Sequence, residues 1–144
     1  MIEMALLEPS KETVNKLRWS THVEEDNTDF HFYIRKWRIP EPWPGRIYVG
    51  IESFDGEPSD FKQKPYTSAD VEGSIKILVE PVKEHTRTIR FAPLGDKKEW
   101  QTGELYIPFS LIPPNSHFLV IKVEWDLDSK GQFVDVPTYQ SDPY

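Results

Sequence analysis

Cysteine is absent from this chain of 144 residues, which removes disulfide cross-links, thiol nucleophiles and Cys-ligated zinc together. Glycine is scarce, at 7 residues, and none is spaced as a phosphate-cradling loop, so nucleotide-binding motifs of the usual kind are missing. No G-x-S-x-G stretch is present, which removes the nucleophile-elbow hydrolases. No apolar run approaches the roughly 20 residues that a membrane-spanning helix needs, so no membrane partner is expected. The opening residues place Glu3 where a signal peptide carries positive charge; with Met1 as the native start, the expected location is the cytoplasm. Basic residues are outnumbered 17 to 24, for a net charge of −7. That charge repels phosphate backbones, and no stripe of Lys and Arg interleaved with aromatics offsets it, so nucleic acid is not expected as a partner. The basic cluster Arg35, Lys36, Trp37 and Arg38 reads as a solvated strand edge that discourages edge-to-edge pairing.

What the chain does have is proline, 13 residues, and aromatics, with 5 Trp, 6 Tyr and 8 Phe. Both favour strands ended by tight turns over long helices. A chain of this length buries roughly 70% of the surface its unfolded form exposes, enough for one core, and residues 1–144 read as a single domain. Apolar residues alternate over Arg46–Phe54 (Ile47, Val49, Ile51), Ser74–Val82 (Ile75, Ile77, Val79), Leu105–Leu111 (Leu105, Ile107, Phe109, Leu111) and Phe118–Trp125 (Leu119, Ile121, Val123, Trp125), the period-two signature of strands covering a core. Thr86–Ala92 pairs with Ser74–Val82 as a hairpin. Over Asp29–Ile39 the apolar parity switches between Ile34 and Trp37, which predicts a bulge near Arg35 or Lys36, and Arg46–Phe54 is the expected partner of this strand. Residues 2–8 form a strand or a helical turn, and Ser10 is placed to cap a short helix over 11–17. Gln132–Val136 adds a strand after a turn at Asp126–Gly131. The expected class is all-β: a two-layer antiparallel β-sandwich, jelly-roll-like, with one short N-terminal helix; a closed barrel is the alternative.

Catalytic and metal signatures are weak. His22, His31, His85 and His117 show no metal-ligand spacing. The many acids supply nominal pairs without a specific one, and solvated surface is their simplest reading. Asp126–Gly131 begins like a calcium loop, but Lys130 stands at a ligand position and Pro137 where the closing Glu belongs. No catalytic residue, metal or cofactor is expected.

Three segments together resemble the family 9 carbohydrate-binding modules and their relatives of the DOMON-like sandwich group. They are RIYVGIESFD over Arg46–Asp55, GSIKILVEP over Gly73–Pro81, and ELYIPF over Glu104–Phe109 preceded by Trp100; the match covers roughly residues 46–112. Gly73 and Lys76 depart from the acids usual in that pattern, and Trp100 lies one residue further from Glu104. The resemblance implies a sandwich fold and a non-catalytic binding module for a saccharide or related polar ligand. A sugar site needs a rigid exposed aromatic beside polar groups. The Pro-flanked Trp43 is the first candidate, with Trp37, Tyr33 and Tyr48 on the neighbouring surface and Asp55 at the acidic position of the resemblance. The long loop over 57–72 is the second place to look. The alternatives are a protein-interaction or structural subunit, acting with a protein partner or as a homodimer through the same aromatics, and, third, a small carbohydrate-active enzyme.

Overall fold

The computed structural model describes residues 2–39, 41, 43–61 and 74–125. They form eight antiparallel strands: β1 (Ile2–Glu12), β2 (Lys16–Val23), β3 (Thr28–Arg35), β4 (Ile47–Phe54), β5 (Ser74–Glu84), β6 (Thr88–Pro93), β7 (Leu105–Pro108) and β8 (Phe118–Trp125). The all-β expectation holds. The strands make one sheet in the order β3-β2-β1-β4-β8-β5-β6-β7, and the sheet curls until its two ends meet. Ile34 of β3 bridges Thr102 just ahead of β7, Arg35 N–H donates to the Gln101 carbonyl at 2.9 Å, and Gly103 N–H donates to the Tyr33 carbonyl at 3.2 Å. The architecture is therefore a nearly closed barrel and not two stacked layers.

The alternation read from the sequence fills this barrel. Ile47, Val49 and Ile51 from β4, Ile75, Ile77 and Val79 from β5, and Leu119, Ile121 and Val123 from β8 are buried, joined by Trp19, Phe30, Phe32 and Phe91. Eight strands enclose an interior just wide enough for side chains, and here these residues occupy it. Phe30 and Phe32 meet edge to face at 6.3 Å. The Trp19 indole N–H, buried with the core, donates to the Gly45 carbonyl at 2.6 Å, so the largest interior side chain leaves no polar atom unsatisfied.

Several local expectations are corrected. No helix forms over 11–17: β1 runs to Glu12 and turns into β2, with Thr13 N–H donating to the Lys16 carbonyl at 2.9 Å and Lys16 N–H donating to Thr13 Oγ1 at 3.0 Å. Ser10 shares a hydrogen bond with Ser20 Oγ at 2.6 Å instead of capping. The parity switch after Ile34 is made by a 3-10 turn over Lys36–Arg38, not a bulge, and this turn carries Arg38 out of solvent to 0% exposure, so the basic cluster is not a wholly solvated edge. β4 pairs with β1 and β8, not with β3. β7 stops at Pro108; a 3-10 turn over Phe109–Leu111 follows and leaves Phe109 38% exposed instead of inward. The turn at 126–131 and the strand at 132–136 lie outside the described residues.

Candidate functional site

β5 is longer than its neighbour. Its first half, Ser74–Leu78, pairs with β8, whereas β6 joins it only from Val79 onward. After Pro93 the chain leaves β5, held there by Leu94 N–H donating to the Leu78 carbonyl at 3.2 Å. Gly95 makes the departure at φ +96°, a left-handed conformation that favours glycine. A 3-10 turn over Lys97–Glu99 follows, its first N–H groups capped by Asp96, whose carboxylate accepts from Lys98 N–H at 3.0 Å. The chain then returns at Gln101–Gly103 to close the barrel against β3.

This detour leaves a cleft of about 250 Å³. Ile77, Leu78 and Pro93 contribute apolar wall; Trp100 and Phe61 contribute rings; Asp96, Glu99 and Gln101 contribute polar groups. Trp100 is tethered by its indole N–H to the Gly95 carbonyl at 3.3 Å, with Lys97 Nζ 5.7 Å from its ring centroid. Phe61 follows the 3-10 turn over Pro58–Asp60, in the loop after β4. That loop is built by a reciprocal cap in which Asp60 accepts from Glu57 N–H at 3.0 Å, and Phe61 packs edge to face on Phe54 at 5.8 Å. The polar wall is unusual in one respect: Gln101 is 2% exposed, and its Oε1 accepts from Arg38 Nε at 2.6 Å. Arg38 also donates from Nη2 to the Ser74 carbonyl and lies 5.9 Å from the Trp125 ring centroid.

The residues singled out from the sequence are dispersed. Trp43 is partly buried and packed against the core, with Lys36 Nζ 5.2 Å from its ring centroid. Trp37 is partly buried in the 3-10 turn at the end of β3. Tyr33 lies opposite Arg18 on β2, and Tyr48, 39% exposed, lies between Leu6 and Glu124. β2 and β1 separate the strands of the two tyrosines, a spacing of about 14 Å across the sheet. Asp55 is exposed, 3.5 Å from the Ser53 hydroxyl, at the start of the loop whose Pro58 and Phe61 reach the cleft. Of the stretch 57–72, Pro58 and Phe61 line the cleft; 62–72 lie outside the described residues.

Trp100, Asp96, Glu99 and Gln101 were not singled out as a site. A signal exists in hindsight: the run GDKKEWQ sets a lone Trp in a polar stretch after a Gly-Asp turn, between two strands with no alternation of its own.

A second polar group lies on the outer face of β1–β3. Ser20 Oγ is 2.6 Å from both Ser10 Oγ and His31 Nδ1, and Arg18 Nε donates to Ser10 Oγ at 2.9 Å. Burial, together with the charge of Arg18, holds the His31 imidazole below its usual range. Among the described residues no three His, Asp or Glu side chains gather as a metal-binding group, and no helix is long and apolar enough to cross a membrane. Compared with known proteins, the chain matches no family model, no curated protein and no solved structure.

Proposed function

We propose that this protein is a non-catalytic binding module that holds a saccharide, or a polar ring of similar shape, in the cleft between the first half of β5 and residues 94–101. The observation that carries this reading is the composition of the cleft: two aromatic rings, an apolar wall and three polar side chains in one concavity. Sugar recognition requires that combination, because a pyranose offers C–H groups to an aromatic or aliphatic surface and hydroxyls to hydrogen-bonding groups around its edge. Binding sites for small molecules start at roughly 300 Å³, so a cleft of about 250 Å³ suits a single ring, with further units of an oligosaccharide outside it. Among the described residues the barrel interior is filled by side chains, those of Trp19, Phe30, Phe32 and Phe91 among them.

The resemblance of Glu104–Phe109 to a segment of the family 9 carbohydrate-binding modules points to the same class of ligand, although Trp100 lies one residue further from Glu104 than in that pattern and the fold is a barrel. Asp96 and Glu99 are exposed, and the Asp96 carboxylate is committed to capping. A glycosidic general acid needs a site that keeps it protonated at neutral pH, usually by burial, so these groups suit hydroxyl binding better than bond cleavage. Fluorescence titration of the full chain with cello-, xylo- and manno-oligosaccharides tests the proposal. A saturable change in tryptophan emission with no release of reducing sugar is expected; no response across the panel contradicts binding, and reducing-sugar release contradicts the non-catalytic part.

A further inference from the structure

Glutamine side chains are ambiguous in orientation unless a neighbour can only donate or only accept. Gln101 has such a neighbour. A guanidinium has five N–H donors and no acceptor, so the group facing Arg38 Nε at 2.6 Å must be Oε1. The amide nitrogen then points to the other side. Among the described residues Nε2 donates to no protein oxygen, yet it is not a buried, sealed-off atom, although the residue as a whole is 2% exposed and lines the cleft. An amide N–H₂ held in place and largely desolvated, on a residue that lines a cleft, is a donor awaiting an acceptor.

We propose that Gln101 is the specificity-determining donor of the cleft, presenting Nε2 to an acceptor oxygen at the inner end of the ligand, and that Arg38 is the positioning residue that fixes its amide. This deepens the saccharide reading and rests on it. The backbone holds Gln101 as firmly as the side chain does, because its carbonyl accepts from Arg35 N–H at 2.9 Å. Arg38 is itself clamped between Gln101, the Ser74 carbonyl and the Trp125 ring, so little rotamer freedom remains to be lost on binding. The carboxylates that line the cleft, Asp96 and Glu99, are acceptors. A ligand that satisfies the cleft has an acceptor oxygen inward and hydroxyl donors toward this rim. A neutral pyranose has both. With Asp96 and Glu99 in the lining and Lys97 and Lys76 over the Trp100 and Phe61 rings, the charges at the cleft mouth are mixed in sign, and the discrimination falls to the donor at its inner end.

The test uses the oligosaccharide that binds the wild-type chain best and two variants at one position. Gln101→Glu keeps an oxygen for Arg38 and replaces the donor by an acceptor; Gln101→Leu removes both. Loss of one such hydrogen bond is expected to weaken binding roughly tenfold. Gln101→Glu should do so with thermal stability retained, which separates recognition from folding. Arg38→Lys should weaken binding in the Gln101 chain and add nothing in the Gln101→Leu chain, a non-additivity that a purely structural Arg38 would not produce. Binding that Gln101→Glu leaves unchanged overturns this assignment alone. Failure of the wild-type chain to bind any sugar overturns the saccharide reading and this inference with it.

Discussion

Arg38 and Gln101, 63 residues apart, are joined by a buried hydrogen bond of 2.6 Å from Nε to Oε1, three residues beyond the point where Arg35 N–H closes the barrel on the Gln101 carbonyl at 2.9 Å. One residue thus serves both the barrel seam and the wall of the cleft. The 3-10 turn over Lys36–Arg38 makes this possible: it ends the ladder with its last paired residue and swings the next long side chain across the seam.

Replacing Arg38 by Met should test how much the seam depends on that side chain. The residue is fully buried, and its loss strands the buried Gln101 Oε1 and breaks the bond to the Ser74 carbonyl, which at least matches the penalty for leaving a buried acceptor unpaired. Urea denaturation of Arg38→Met is expected to show a loss of about 3 kcal/mol; a stability equal to wild type would contradict the role given to this pair.

Trp19→Phe probes the interior in the same way. The substitution removes the indole N–H that reaches the Gly45 carbonyl at 2.6 Å and leaves a small void where Trp19 is fully buried. A cost of about 2 kcal/mol is expected from the lost bond and the cavity together, read as a lower urea midpoint at unchanged m. A shift near zero would mean the interior repacks freely.

His31 predicts a pH dependence. Burial lowers its pKa from 6.5, with Arg18 and Lys11 acting in the same direction and Asp29 opposing them, while Ser20 Oγ lies against Nδ1 at 2.6 Å. Above 6.5 the imidazole is neutral in both states and contributes no difference. As the pH falls below 6.5 the unfolded chain takes up the proton first, so stability falls until the lowered folded-state pKa is passed. The His31 imidazole should titrate below 6.5 in NMR spectra, and His31→Asn should flatten this component of the stability profile. A midpoint at or above 6.5 would refute the environment described for it.

Much of the barrel is legible in the sequence because alternation is a local property. β4, β5 and β8 each carry three or more inward aliphatic residues at period two, and each is a strand with those residues buried. The failures come where non-local contacts decide. Val14 and Leu17 suggest a helical face, but Thr13 closes a hairpin turn that pairs Lys11 and Glu12 with Arg18 and Leu17. β4 follows β3 in sequence yet lies next to β1 and β8, since closing a barrel ranks long-range pairings above the nearest hairpin.

The cleft was less legible for a related reason. Trp100 is visible in the sequence as an aromatic, and Trp43 looks the better binding residue because prolines flank it. Only the three-dimensional path distinguishes them: β6 leaves β5 early and opens a concavity at Trp100, whereas Trp43 packs in part against the core. Burial of the polar Gln101 depends on Arg38, far away in sequence, and no local pattern encodes it.

The most direct test of the saccharide reading compares two tryptophans by calorimetric titration with the oligosaccharide panel. Trp100→Ala should weaken binding about fivefold or more, since stacking on an aromatic ring is worth on the order of 1–3 kcal/mol, and Trp43→Ala should bind as the wild-type chain does. Binding that survives Trp100→Ala and is lost in Trp43→Ala would contradict the placement of the site in this cleft.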